Sequence, residues 1–163
     1  MLGETEDEVL LKILSQKTKN PKKLLAESFI KKKESPNYRI LARAGKLFQL
    51  YLAGKEVDFS SLPLTLEVSP FVLRVLNLVK TIPYGEIRTY RWVAEKIQTK
   101  GYRAVGRALG LNPFPVIIPC HRVISSDGTL GGFSSGISLK RKLLTLEKVD
   151  IKYPCLLERR EYN

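Results

Sequence analysis

Apolar residues recur along this chain mostly at three- and four-residue intervals, the spacing that lines one face of an α-helix. Val9, Leu10, Ile13 and Leu14 mark a first helix. Asn20-Pro21, an N-cap followed by proline at the first helical position, opens a second with Leu24, Leu25 and Phe29 inward. A third is predicted from Asn37 to Gly54, where the glycine ends it. The irregular stretch Val57 to Glu67, broken by Pro63, reads as a connector. It separates a mostly helical N-terminal domain, residues 1–66, from a C-terminal domain, residues 67–163.

The second domain has a tighter rhythm. Ser69-Pro70 opens a helix carrying Phe71, Val72, Val75, Leu76, Val79 and Ile82 inward, closed by Pro83 and the turn Tyr84-Gly85. Thr89 caps a short helix with Tyr90, Trp92, Val93 and Ile97. The turn Thr99-Lys100-Gly101 leads into another helix, Tyr102 to Leu109, which Gly110 terminates. Two short helices joined by a glycine-containing turn form a helix-turn-helix pattern, which suits DNA binding or an ordinary helical hairpin. Val116-Ile117-Ile118 reads as a brief buried strand or extended segment. After a loop punctuated by Gly128, Gly131, Gly132 and Gly136, a last helix is predicted near Ser138 with Leu139, Leu143, Leu144 and Leu146 inward.

Charge sharpens this picture. The 163 residues carry 28 Lys+Arg against 16 Asp+Glu, a net charge of +12. Such an excess attracts polyanions, nucleic acid foremost, although a solvated basic surface gives the same count. The N-terminal lysines (Lys17, Lys19, Lys22, Lys23, Lys31 to Lys33) suit solvation, whereas Arg88, Arg91, Arg103 and Arg107 cluster around the helix pair. No apolar run is long enough to span a bilayer. The acidic start of the chain shows no export signal, so a cytoplasmic protein without membrane contacts is expected. Two cysteines imply free thiols in a reducing compartment, and no metal-ligand spacing is present. No metal and no cofactor are expected.

The single histidine, His121, directly follows Cys120. A thiol becomes a nucleophile as thiolate, and a neighbouring base lowers the cost of making it. On an extended segment adjacent side chains point opposite ways, so a water or a turn would have to link the two. Cys155, between Pro154 and Leu156, suits a small buried hydrophobe.

Ile118-Pro119-Cys120-His121-Arg122-Val123 resembles the active-site signature of the O6-alkylguanine-DNA alkyltransferases. Ile82-Pro83-Tyr84-Gly85-Glu86, Thr89-Tyr90, Tyr102-Arg103-Ala104-Val105-Gly106, Asn112-Pro113 and the loop from Gly131 to Gly136 resemble further family elements, in family order and spacing. Together they cover roughly Ser69 to Glu147, about half the chain. The resemblance implies an α+β, predominantly helical fold: a small variable N-terminal domain followed by a winged-helix-like domain containing the helix-turn-helix. It implies repair by one irreversible transfer of an alkyl group from O6-alkylguanine in double-stranded DNA, with O4-alkylthymine a further candidate substrate, by a monomer that is consumed. A lesion-binding protein that transfers nothing is the alternative, against which the presence of Cys120 speaks.

Residue by residue, the resemblance makes Cys120 the alkyl acceptor, His121 the base acting through a water, and Glu147 the carboxylate that orients the imidazole. Tyr90 matches the family tyrosine that donates to guanine N3. Asn112 matches the asparagine tying the helix-turn-helix to the active-site segment. Arg103 matches the finger that replaces the flipped nucleotide. Arg91 and Ser126 match DNA-backbone contacts, and Phe133 and Ser134 fall in the substrate pocket. Taken alone, Tyr90 would suit a core aromatic, Arg103 a solvated helix residue and Glu147 a surface charge. Arg122 suits a buried ion pair. Two departures stand out: Phe133 where many relatives have tyrosine, and Ser135 where many have glycine, which would narrow the pocket. The helical N-terminal reading also departs from the small β-sheet domain that opens many relatives.

Overall fold

The computed structural model describes residues 36–149; the two helices predicted before Asn37, and Cys155, lie outside the described residues. The chain divides into two compact units between Thr65 and Leu66.

In the first unit, helix α1 spans Pro36–Leu52. Its end is closed by Gly54, whose φ of 73° favours glycine. There the N–H groups of Gly54 and Lys55 reach the carbonyls of Tyr51 and Leu50 at 2.9 and 3.1 Å. The stretch read as a connector is partly core. Phe59 and Leu62 are buried, and the Phe59 ring lies 5.3 Å from Phe48 and 6.0 Å from Tyr51 between centroids. Two apolar side chains in an irregular segment carry no period, so the pattern alone hid them.

The second unit is built on helix α2, Pro70–Lys80. Ser69 Oγ accepts the Val72 N–H at 3.5 Å, and Val72, Val75, Leu76 and Val79 form its buried stripe. Phe71, expected inward, is only half-buried. The turn at Gly85, φ 75°, leads to strand β1, Arg88–Thr89. Thr89 Oγ1 caps helix α3, Tyr90–Lys96, by accepting the Trp92 N–H at 3.1 Å. Helix α4, Tyr102–Gly110, packs on both α2 and α3 and completes the helix-turn-helix. Arg74 of α2 donates to the Ile97 carbonyl at 2.6 Å, tying down the end of α3.

Gly110 is the last residue of α4, not the one beyond it, and Leu111 is the cap. Val116 to Ile118 form a tight turn instead of the expected strand or extended segment. Val116 has φ 72°, and the Ile118 N–H returns to the Phe114 carbonyl at 2.9 Å. Pro113, Pro115 and Pro119 remove the donors a strand would need there. The strand comes one segment later: β2, Val123–Ile124, pairs in parallel with β1, Arg88 opposite Val123. Two residues are too few for an alternation to be read. Helix α5, Ile137–Leu146, closes the unit with Leu139, Leu143 and Leu144 buried, while Leu146 is half-buried. The fold is thus predominantly helical with one small sheet.

Leu76 is fully buried in the α2 stripe. Leu76→Ala is expected to lower the unfolding free energy by about 2–5 kcal/mol, read from urea denaturation.

Candidate active site

The segment after Pro119 is not extended. Cys120–Arg122 form a single 3-10 turn, closed by the Arg122 N–H on the Pro119 carbonyl at 3.0 Å. That turn puts Cys120 at the floor of a cleft of about 560 Å³ and sends His121 and Arg122 into the protein behind it. Asn112, just past α4, donates from Nδ2 to the Ile118 carbonyl at 2.8 Å and to Cys120 Sγ at 3.1 Å. Its Oδ1 accepts the Phe114 N–H at 3.0 Å, so the amide is locked in place. Burial pushes the Cys120 thiol up from its ordinary range. The Asn112 donor, the Lys140 charge and the N–H groups of Cys120 and His121 oppose that rise without cancelling it. The resting sulfur is a thiol surrounded by groups that favour its anion.

Behind the cysteine, one carboxylate gathers the turn. His121 Nε2 lies 2.8 Å from Glu147 Oε1, both side chains fully out of solvent. Arg122 donates to the same carboxylate through Nε at 2.8 Å and Nη2 at 2.9 Å, and through Nη1 to the Ile82 carbonyl at 2.6 Å. The Gly85 N–H adds a bond at 3.3 Å. Burial lowers the His121 pKa, and the Glu147 contact only partly restores it. The imidazole is therefore neutral at neutral pH, in the form that accepts a proton.

The cleft wall is made by α3 and the loop before α5. Tyr90 donates its hydroxyl hydrogen to the Gly132 carbonyl at 3.1 Å. Gly131, φ 65°, lies so close to this ring that a Cβ would sit 2.8 Å from it and 2.9 Å from Ser125 Oγ. Burial and the nearby Cys120 raise the Tyr90 pKa, keeping the phenol protonated. Under the rings of Tyr90 and Phe133, at 5.9 and 6.0 Å from their centroids, sits the Lys140 ammonium.

A profile of the family described as 6-O-methylguanine DNA methyltransferase, DNA binding domain, matches residues 70–149. A methylated-DNA–protein-cysteine methyltransferase of Metallosphaera sedula is 46% identical over 106 residues, 65% of this chain and 67% of that protein. One from Sulfolobus acidocaldarius is 50% identical over 105 residues, 64% of this chain and 66% of that protein. The chain thus spans about two thirds of the length of these curated relatives. The structure of Mycobacterium tuberculosis OGT in complex with DNA superposes with a TM-score of 0.63 at 40% identity, covering 70% of each chain. This chain belongs to the 6-O-methylguanine DNA methyltransferase family.

In this member of the methyltransferase family, Tyr90, Arg91, Arg103, Cys120, Ser126, Phe133 and Ser134 all line the one cleft. Asn112, His121 and Glu147 stand behind it, against the cysteine turn. Glu147 is buried, not a surface charge, and Arg122 forms the buried ion pair. Ser135 is not among the residues lining the cleft; its Oγ is buried with no hydrogen-bond partner among the described residues. Lys140 is the residue that sequence reasoning missed. It begins the run Lys140, Leu143, Leu144, Glu147, the i, i+3, i+4, i+7 stripe of α5, all four buried. The signal was that spacing, masked by the habit of assigning lysine to solvent.

His121 is the chain's one histidine, so its ionisation can be isolated. Unfolded, it binds a proton near its ordinary pKa of 6.5; folded, it does so only at lower pH. As pH falls below 6.5 the unfolded chain takes up that proton first, and stability declines. His121→Gln should flatten this acid-side decline, as measured by urea unfolding on either side of that pH.

Proposed function

We propose that the protein repairs double-stranded DNA by moving an alkyl group from O6 of guanine onto Cys120, once per molecule. The observation that carries this reading is a buried, amide-held thiol at the floor of a cleft with Arg91 and Arg103 among its lining residues. A thiolate cannot reach O6-bound carbon inside a stacked duplex, so the damaged nucleotide must be swung out into the cleft. Helix α4 enters the minor groove, and Arg103 fills the place the base leaves. Arg91 and Ser126 hold the DNA backbone, and the Phe133 ring stacks on the guanine beside Ser134.

The chemistry follows from the side chains in place. With Nε2 engaged by Glu147, His121 receives the thiol proton at Nδ1, through a water. Glu147 stabilises the imidazolium that forms. The sulfur attacks the alkyl carbon: the S–C bond forms while the C–O6 bond breaks, and the bonding pair stays with the purine. Tyr90 turns its proton from the Gly132 carbonyl toward guanine N3, so the departing base leaves neutral. Proton exchange from imidazolium to phenolate restores both groups. Overall the thiol hydrogen has been exchanged for the alkyl group, and no cofactor is consumed. The thioether resists water, which ends the protein's activity after one event.

Binding and chemistry are assigned to residues 67–163, and the protein works as a monomer. The reactive thiol must be kept reduced, which suits the cytoplasm.

Incubation with a duplex containing O6-methylguanine should add one methyl group per protein molecule, mapped to Cys120 by mass spectrometry. Cys120→Ser should still bind the duplex and gain nothing. Methyl on Cys155, multiple turnovers, or tight binding without transfer by the unaltered protein would each contradict the assignment. Arg103→Ala should slow transfer from duplex DNA by about tenfold or more while sparing single strands, because extruding a stacked base costs a few kcal/mol. Equal losses on both substrates would remove the finger role.

A further inference from the structure

Lys140 has no solvent exposure. Its Nζ donates to the carbonyls of Val123 in β2 and Leu130 in the loop, both at 2.5 Å. Among the described residues, no carboxylate lies within ion-pair distance of it. The groups facing it are Cys120 from the 3-10 turn, Tyr90 from α3 and Phe133 from the loop. Glu147 lies further along its own stripe, bound there by His121 and Arg122 of the 3-10 turn, and His121 feels the Lys140 charge.

An ammonium in such a place is expensive to desolvate. Two carbonyls could be bridged equally by a neutral amide, so the bonds do not explain the charge. What does is the identity of the neighbours, a thiol that must ionise and a phenol that must give up a proton. Both would become anions during the transfer, and in that instant the cation gains the partner it lacks at rest.

We propose that Lys140 is a positioning residue for alkyl transfer, its ammonium favouring the Cys120 thiolate and the proton-donating Tyr90 while its two carbonyl bonds hold the pocket loop against β2. The proposal rests on Cys120 being the alkyl acceptor. Burial lowers the Lys140 pKa to about 8, with the Cys120 anion acting to raise it, so the side chain is still a cation at neutral pH. Thiol and ammonium titrate as a coupled pair, each easing ionisation of the other.

The test separates charge from hydrogen bonding in a Cys155→Ala background. Lys140→Gln removes the charge and leaves amide donors on a side chain one bond shorter; Lys140→Arg keeps the charge. The pH dependence of Cys120 alkylation by iodoacetamide, read by intact mass, reports the thiolate. In Lys140→Gln its midpoint should rise by about one pH unit, a tenfold smaller thiolate fraction at neutral pH. Methyl transfer from duplex O6-methylguanine should slow in proportion, and Lys140→Arg should recover part of both. A folded Lys140→Gln protein with the unaltered midpoint overturns the proposal and leaves the lysine a structural bracket.

A second measurement avoids the variants' folding altogether. In protein labelled with carbon-13 at lysine Cε, the Lys140 midpoint should fall once iodoacetamide has capped Cys120, because the thiol that titrates with it as a coupled pair can no longer ionise. An unmoved midpoint also overturns the proposal. If Cys120 reacts with iodoacetamide and the coupling is seen, but no methyl arrives from DNA, it is the transfer reading that fails.

Discussion

A single buried carboxylate organises this protein's working half. Glu147, at the end of α5, accepts from His121 and Arg122 of the cysteine turn and from Gly85 of the turn before β1. Three segments far apart in sequence meet on two oxygens. Stripped of its guanidinium partner, such a carboxylate would be an uncompensated interior charge, a severe penalty. The 3-10 turn cannot be displaced without breaking this junction, so the sulfur on its outer face inherits a fixed position. The neighbouring imidazole inherits a fixed tautomer.

A polar gradient runs across that turn. Behind it lie compensated charges that are almost wholly buried. In front, Cys120 is held by an amide donor and backbone N–H groups, with a cation close by and aromatic rings above. The amide, the N–H groups and the cation interact better with an anion than with a thiol, yet burial keeps the thiol neutral at rest. The site is therefore quiet until ionisation is coupled to a reaction, an arrangement that limits adventitious attack on other electrophiles.

Much of this was legible in the linear chain. The helices of the second unit announced themselves through period and caps: Ser69 before Pro70 and Thr89 before Tyr90 act as the caps that their side chains suggested. The motif residues were legible by resemblance, and the cleft brings most of them together. What stayed hidden was set by tertiary geometry. The parallel pair β1–β2 is two residues long and joins segments over thirty positions apart, which no local pattern encodes. Proline spacing turned an apolar triplet into a turn at Val116. Phe59 and Leu62 found a core in a segment without periodicity. Lys140 was hidden by its own chemistry, since a charged residue inside an apolar stripe is readable only once its partners are known.

The backbone at Gly131 bears on how this pocket can diversify. With a positive φ and the Tyr90 ring in the space a Cβ would fill, the position admits no side chain without displacing an aromatic wall. Lineages drifting toward bulkier or smaller lesions thus have one edge of the site frozen. Heritable change in what the cleft accepts is channelled to Phe133 and Ser134, which project from the same loop but are not wedged beneath a ring.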